Sequence, residues 1–305
     1  MRIGWPWFRG CAGVGLCAVA GALALPGCTS VSILNPAGPI AAANRTILFD
    51  ALAIMLAIVV PTMIATLAFA WWFRAGNTRA RYRPKFAYSG RIELIVWSIP
   101  LLVVLFLSGV IWIGSHDLDP ARPIASRTPP LEVQVVSLDW KWLFIYPGQG
   151  VASVNEMVVP AGVPLRFRLT SASVMNSFFV PRLGSMIYTM NGMATTLNLR
   201  ADRPGDYYGQ SAHFSGDGFS DMHFRMRAVP AGDFTRWAAG VRGRGPALDG
   251  RSYAALARQS RHVAPFTYGA VAPDLFQAVV TQRLAPGPGP DSGRGGPQLS
   301  PKTPS

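Results

Sequence analysis

The sequence predicts a membrane α-helical hairpin of two transmembrane helices, followed by an all-β sandwich or barrel with C-terminal surface helices. Three features predict it. Two apolar runs are long enough to cross a bilayer, the stretch after them alternates apolar and polar residues with a period of two, and turns rich in Pro and Gly punctuate that stretch. Cysteine usage narrows the chemistry: Cys11, Cys17 and Cys28 all fall within the first 28 of 305 residues. Nothing downstream can form a disulfide or hold metal through a thiolate. The net charge of +13 arises from 28 Lys and Arg against 15 Asp and Glu. Several of these arginines cluster beside the apolar runs, where membrane topology accounts for them, and the rest are scattered. They form no basic helix or stripe, so nucleic acid is not an expected partner.

At the N-terminus, Arg2 and Arg9 precede an apolar stretch from Cys11 to Leu25, the positive start and short hydrophobic segment of a secretion signal. It ends in Leu25-Pro26-Gly27-Cys28, which resembles the recognition box of bacterial lipoprotein signal peptidase. Residues 1–27 are therefore expected to be a lipoprotein signal peptide, with Cys28 the acylated first mature residue and 28–46 a short periplasmic segment. One acyl group anchors weakly, and the helices that follow supply the durable attachment.

The first apolar run, Ala51 to Phe73, carries no charge over 23 residues and lies between Asp50 and Arg74. Pro61 near its centre predicts a kink or a local partner helix, and Trp71 and Trp72 close it as an interfacial belt would. The second run follows Glu93 and extends to Gly114, with Pro100 inside it and Trp112 near its far end. Together they make a hairpin over 47–115 with a loop at 74–92. That loop holds Arg74, Arg79, Arg81, Arg83, Lys85 and Arg91 and no acidic residue, which assigns it to the cytoplasmic side. Both ends of the hairpin then face outward, in agreement with a lipidated N-terminus, and everything from about His116 is periplasmic. Glu93 is either an ordinary boundary residue or part of an ion path, and the residues alone favour the boundary.

Residues 116–230 read as strands. Leu131, Val133 and Val135 alternate with Glu132 and Gln134, and Leu165, Phe167 and Leu169 alternate with Arg166 and Arg168. Further strands are expected at 151–159, 178–180, 195–199 and 223–228, separated by turns such as Pro147-Gly148 and Ser215-Gly216-Asp217-Gly218. In the aromatic segment Leu138 to Tyr146, Trp140 and Trp142 are expected on one strand face with Lys141 opposite. Those two tryptophans suit core packing or a docking surface against a neighbouring membrane subunit. Over 231–284 apolar residues recur at spacings of three and four, which predicts surface helices. The tail 285–305 is too poor in apolar side chains to fold and is expected to be disordered. No Ser-His-Asp arrangement, zinc-protease helix or phosphate-cradling loop is present, so catalysis by this chain alone is not expected.

The lipobox, the hairpin, the β region and the late Pro273-Asp274-Leu275-Phe276 together resemble subunit II of the haem-copper terminal oxidases, most closely the quinol-oxidizing branch. The resemblance implies that the β region is a cupredoxin-like sandwich. In cytochrome-c-oxidizing members it carries a dinuclear copper centre. Carried over residue by residue, the first histidine ligand corresponds to Asn176, the two cysteines to Ser211 and Ser215, the glutamate to His213, the second histidine to Phe219, and the methionine to Met222. Only Met222 keeps a ligand type. Two serines cannot bridge a copper pair, because their hydroxyls are hard and of high pKa. The resemblance thus implies no redox metal in this chain, with haem and copper held by subunit I.

It further implies a complex with subunits I, III and IV in the bacterial inner membrane, surrounded by lipid, which oxidizes ubiquinol, reduces dioxygen to water and pumps protons. Arg91 to Pro100 is similar to the start of the family's second spanning helix, whose glutamate marks a proton-pathway entrance. That assigns this role to Glu93 and outweighs the boundary reading. The segment around Trp140 and Trp142 becomes an inherited scaffold or interface. A membrane-tethered scaffold or assembly protein without an oxidase role is the alternative.

Overall fold

The computed structural model describes residues 33–81, 83, 85–287 and 289; the signal segment and Cys28 lie outside the described residues. Helix α1 runs over Pro39–Trp72 and helix α2 over Gly90–Asp117. Helix α1 begins at Pro39, ahead of the expected hairpin boundary at 47. Pro39 occupies the first turn, where its missing N–H costs nothing, and Ala41-Ala42-Ala43 follows with the highest helix propensity. Pro61 and Pro100 are both carried inside their helices. The two helices approach closely near their outer ends, where a Cβ on Gly114 would meet Ile47 Cδ1 at 2.8 Å.

The hairpin is strapped to the outer domain at both of those ends. On the α1 side, Ala37 N donates to Arg182 O and Asp202 N to Ala37 O, each at 2.8 Å, and Ala41 N reaches Leu183 O at 3.1 Å. Gly38 makes this possible, because a Cβ there would sit 2.2 Å from Arg200 O. On the α2 side, Asn198 donates its backbone N–H to Pro120 O at 2.9 Å and its amide to Ala121 O at 3.0 Å.

The outer domain is a two-sheet sandwich. The strands are β1 (Leu131–Leu138), β2 (Lys141–Tyr146), β3 (Val151–Val154), β4 (Glu156–Pro160), β5 (Leu165–Ser171), β6 (Asn176–Phe179), β7 (Ile187–Thr189), β8 (Thr195–Leu199), β9 (Gly205–Ser211) and β10 (His223–Val229). After them come α3 (Ala231–Val241), β11 (Ala247–Leu248), α4 (Gly250–Leu256), β12 (Phe266–Tyr268), β13 (Ala270–Val271) and α5 (Leu275–Val280). One sheet has the order β12-β3-β2-β1-β5-β8, the other β4-β10-β9-β6-β7, and β11 pairs with β13. The strand expected over 151–159 is split between β3 and β4 at Asn155, whose φ of 55° turns the chain from one sheet to the other.

Alternation sends residues of β1 and β2 to two different cores. Val133, Val135, Trp142, Phe144 and Tyr146 face the space between the sheets and meet Phe167, Phe178 and Phe224. Val136, Leu138, Leu143 and Ile145 face the other way, against Leu248, Tyr253, Leu256, Phe276 and Val279 of the C-terminal region. That region is therefore a cover over the outer face of the six-stranded sheet, and it also adds β12 to the sheet's edge. Helix α4 is nucleated by a capping box in which Asp249 Oδ1 accepts from Ser252 N and Ser252 Oγ accepts from Asp249 N, both at 2.8 Å. The tail expected to leave the domain at Ala285 stays on it further: Gly287 N donates to Ala172 O at 2.8 Å. Most of 285–305 lies outside the described residues.

Candidate functional site

The six positions singled out by resemblance to copper ligands gather around one end of the five-stranded sheet. β6 supplies Asn176, β9 ends on Ser211, and the connection from Ala212 to Met222 returns the chain to β10. Ser211 N closes this connection by donating to Met222 O at 2.9 Å. Asn176, Ser211, Ser215 and Met222 are all buried, at 1%, 4%, 5% and 1% exposed, so their polar atoms need partners inside the protein.

They find them among neutral groups. Ser211 Oγ lies 3.3 Å from Asn176 Oδ1 and 3.1 Å from His213 O, acceptors for its one proton, and it accepts from the N–H groups of Ser177 and His213 at 3.3 Å. Ser215 Oγ donates to Met222 Sδ at 3.6 Å. Ser177 Oγ accepts from Ala212 N at 2.6 Å. Phe219 is half-buried at the start of a single 3-10 turn, with its ring 5.6 Å from that of the exposed Phe214. His213 points elsewhere, its ring edge-on to Tyr188 at 5.9 Å. The donor set is thus two hydroxyls, an amide, a thioether and no thiolate, which does not fit a dinuclear copper centre.

Trp140 and Trp142 act on this loop from below, and their placement corrects the sequence expectation. Trp140 is not in the strand: it occupies a turn with φ of 64°, and β2 begins at Lys141. Its indole Nε1 donates to Ser215 O at 3.0 Å, and its ring fills the space beside Gly218, where a Cβ would lie 2.2 Å from Trp140 Cδ2. Trp142 lies in the core and directs Nε1 at Met222 O, 3.5 Å away. The two indoles therefore hold the loop at Ser215 and at its Met222 end. Being 7% and 0% exposed, neither can serve as the docking surface considered for them.

Lys141, between them, points to the opposite face and is 1% exposed. Its Nζ donates to Arg258 O at 2.7 Å, Ser260 Oγ at 2.8 Å and Asp139 O at 3.2 Å. Burial lowers its pKa from 10.5 to about 8, with the Asp139 carboxylate opposing that shift. The Ser173 hydroxyl donates to Asp139 Oδ1. Asn155, which the sequence reading passed over, joins the same region by accepting Trp142 N at Oδ1 and donating to Val263 O, both at 2.8 Å.

Glu93 is far in sequence from this loop, in the first turn of α2, where the positive end of the helix dipole favours a carboxylate. It is exposed, and among the described residues it makes no ion pair.

Comparison with known proteins agrees with this geometry. Residues 135–229 match the family described as Cytochrome C oxidase subunit II, periplasmic domain, and residues 242–287 match the COX Aromatic Rich Motif. Ubiquinol oxidase subunit 2 of Acetobacter aceti is 46% identical over 267 residues, spanning 87% of this chain and 86% of that relative. The chain belongs to the ubiquinol oxidase subunit 2 family. Cytochrome bo(3) ubiquinol oxidase subunit 2 of Pseudomonas aeruginosa is 44% identical, over 87% of this chain and 80% of its own length. Quinol oxidase subunit 2 of Bacillus cereus is 35% identical, over 76% and 80%. As a ubiquinol oxidase subunit 2, the chain is part of a haem-copper oxidase complex and combines two apolar helices with the periplasmic domain. The aromatic-rich motif coincides with the cover, whose described contacts run on to Gly289, where the carbonyl accepts from Gln259 Nε2.

Proposed function

We propose that this chain is the non-catalytic second subunit of a proton-pumping quinol oxidase that takes electrons from ubiquinol in the membrane and reduces dioxygen to water. Haem and copper belong to subunit I, and subunits III and IV complete the complex in the bacterial inner membrane. The observation that carries this reading is the filled loop. Its positions hold Asn176 bonded to Ser211, Ser215 bonded to Met222 and Phe219 packed on Phe214, so the domain offers no thiolate-bridged port for electrons from a soluble cytochrome. Supply of electrons from within the membrane is the consistent alternative. Cys28 is proposed as the acylated residue on the strength of the box that precedes it.

Glu93 is proposed to mark the entrance of a proton pathway into subunit I. Its exposed position in the first turn of α2, without an ion pair among the described residues, leaves its carboxylate free to face a partner.

The test is oxygen consumption by the purified complex with reduced ubiquinol against reduced cytochrome c. Cyanide-sensitive turnover on quinol alone supports the proposal, and turnover on cytochrome c sinks it. A chain that accumulates without haem-containing partners would be a tethered scaffold instead. For Glu93, Glu93→Gln should lower the ratio of protons translocated to electrons consumed while leaving the haem spectrum unchanged; an unaltered ratio returns Glu93 to a boundary role.

A further inference from the structure

The loop between α1 and α2 carries charge that the oxidase reading does not use. Its beginning serves the helix end. Arg74 Nη1 donates to Trp71 O at 3.0 Å with its guanidinium 4.8 Å over the Trp71 ring, and Asn77 Nδ2 donates to Trp72 O at 2.5 Å. Asn77 Oδ1 then accepts the backbone N–H of Arg79 at 3.1 Å, which turns the chain back beneath the helix. The fold that results encloses a cleft of about 790 Å³, walled by Trp72, Phe86, Arg74, Arg79, Arg81 and Arg83.

Among the described residues, no carboxylate lies within ion-pair distance of Arg79, Arg81 or Arg83. A topology signal requires only that basic residues be present in the loop, in any arrangement. Four arginines lining one concave volume meet a stricter requirement, and the planar fork of a guanidinium suits phosphate oxygens. The neighbouring Trp71 and Phe73 are 61% and 58% exposed, an apolar rim of no use to a free anion. Such a rim at the end of a spanning helix fits glycerol and acyl chain.

We propose that this cleft binds the phosphate headgroup of an anionic phospholipid of the cytoplasmic leaflet, with Trp72 and Phe86 against the lipid's glycerol region. The proposal rests on the orientation of the hairpin and is independent of the electron donor.

The test is native mass spectrometry of the intact detergent-purified complex with phosphatidylglycerol or phosphatidylcholine added at equal concentration. The expected result is retention of phosphatidylglycerol over phosphatidylcholine by at least about tenfold. This preference should disappear in the triple variant Arg79→Gln, Arg81→Gln, Arg83→Gln. Asn77→Ala provides a second variant that keeps every basic residue and so inserts normally, yet loses the turn that shapes the cleft; it too should lose the preference. Retention of the preference in both variants overturns the proposal, as does equal retention of phosphatidylglycerol and phosphatidylcholine by the parent complex. Labelling of Ala80→Cys only by reagents admitted to the cytoplasmic side checks the orientation separately.

Discussion

The turn before β2 sends neighbouring side chains to two regions that are built on different principles. Trp140 and Trp142 hold the loop between β9 and β10, whereas Lys141 holds the C-terminal cover on the opposite face. The loop is fixed by weak neutral hydrogen bonds and by backbone closure at Ser211 and Met222. The cover is fixed by apolar area, with Leu256, Phe276 and Val279 seated on Leu143 and Ile145, and by one buried ammonium. The difference explains how the loop can keep its shape with side chains that do not fit a dinuclear copper centre. The loop's framework is supplied from the core beneath it, so changing the ligand side chains leaves the shape intact. The cover has no such independent support.

The sharpest way to break this comparison is to remove area from the cover. Phe276→Ala, at a residue 3% exposed, should destabilise the outer domain by about 3–5 kcal/mol, read as a fall in the denaturation midpoint of the full chain in detergent. If the loss is under about 1 kcal/mol, comparable to a surface change, the cover is not where the stability resides. Next in size is Gly218→Ala. Its Cβ would stand 2.2 Å from Trp140 Cδ2, so the ring must shift and the bond to Ser215 O must lengthen. Overpacking of this kind costs about 1–3 kcal/mol. The change should appear in near-ultraviolet tryptophan signals, while amide exchange in α4 and α5 stays as in the parent.

Lys141 supplies a pH test specific to the cover. Its pKa of about 8 in the folded chain lies below the ordinary 10.5, so between those values the unfolded state binds more protons. Stability therefore rises with pH from about 8, as the cost of the buried charge is relieved. Above about 10, burial of Tyr146 and Tyr253, whose pKa values are raised, turns the trend down, because their folded forms resist ionisation. Lys141→Met should flatten the rise between pH 8 and 10 and leave the fall above it. A rise that persists in the variant assigns it to another group.

The sequence made some of this legible and hid the rest for physical reasons. The spanning helices and the strands at 195–199 and 223–228 were readable because apolar run length and period-two alternation are properties of single segments. β9 was not readable, since its Gly209 occupies a position packed on Phe224 where a Cβ would lie 2.1 Å from the ring, and glycine carries no hydrophobic signal. The start of α1 was missed because its first turns are held by backbone bonds to the β domain rather than by lipid. Trp140 was misplaced because alternation assumes an extended backbone, and nothing local announces a positive φ at tryptophan. The ligand positions were found only through resemblance. No spacing within the loop distinguishes Ser211 or Ser215 from any other buried serine.

The smallest effect is expected where a metal-binding loop would show the largest. Ser215 Oγ donates to Met222 Sδ at 3.6 Å, a weak acceptor, so Ser215→Ala removes a group whose hydrogen bond contributes little. It leaves no strong partner unsatisfied, because the same residue's carbonyl still accepts from Trp140 Nε1. The cost should be within about 0.5–1.5 kcal/mol, and quinol-driven oxygen consumption should be unchanged. Ser211→Ala is the more demanding comparison, since its oxygen accepts from the N–H groups of Ser177 and His213. Its cost should exceed that of Ser215→Ala, again without loss of turnover. If either variant stops electron transfer while the domain remains folded, the loop takes part in the reaction, and its independence from the chemistry is wrong.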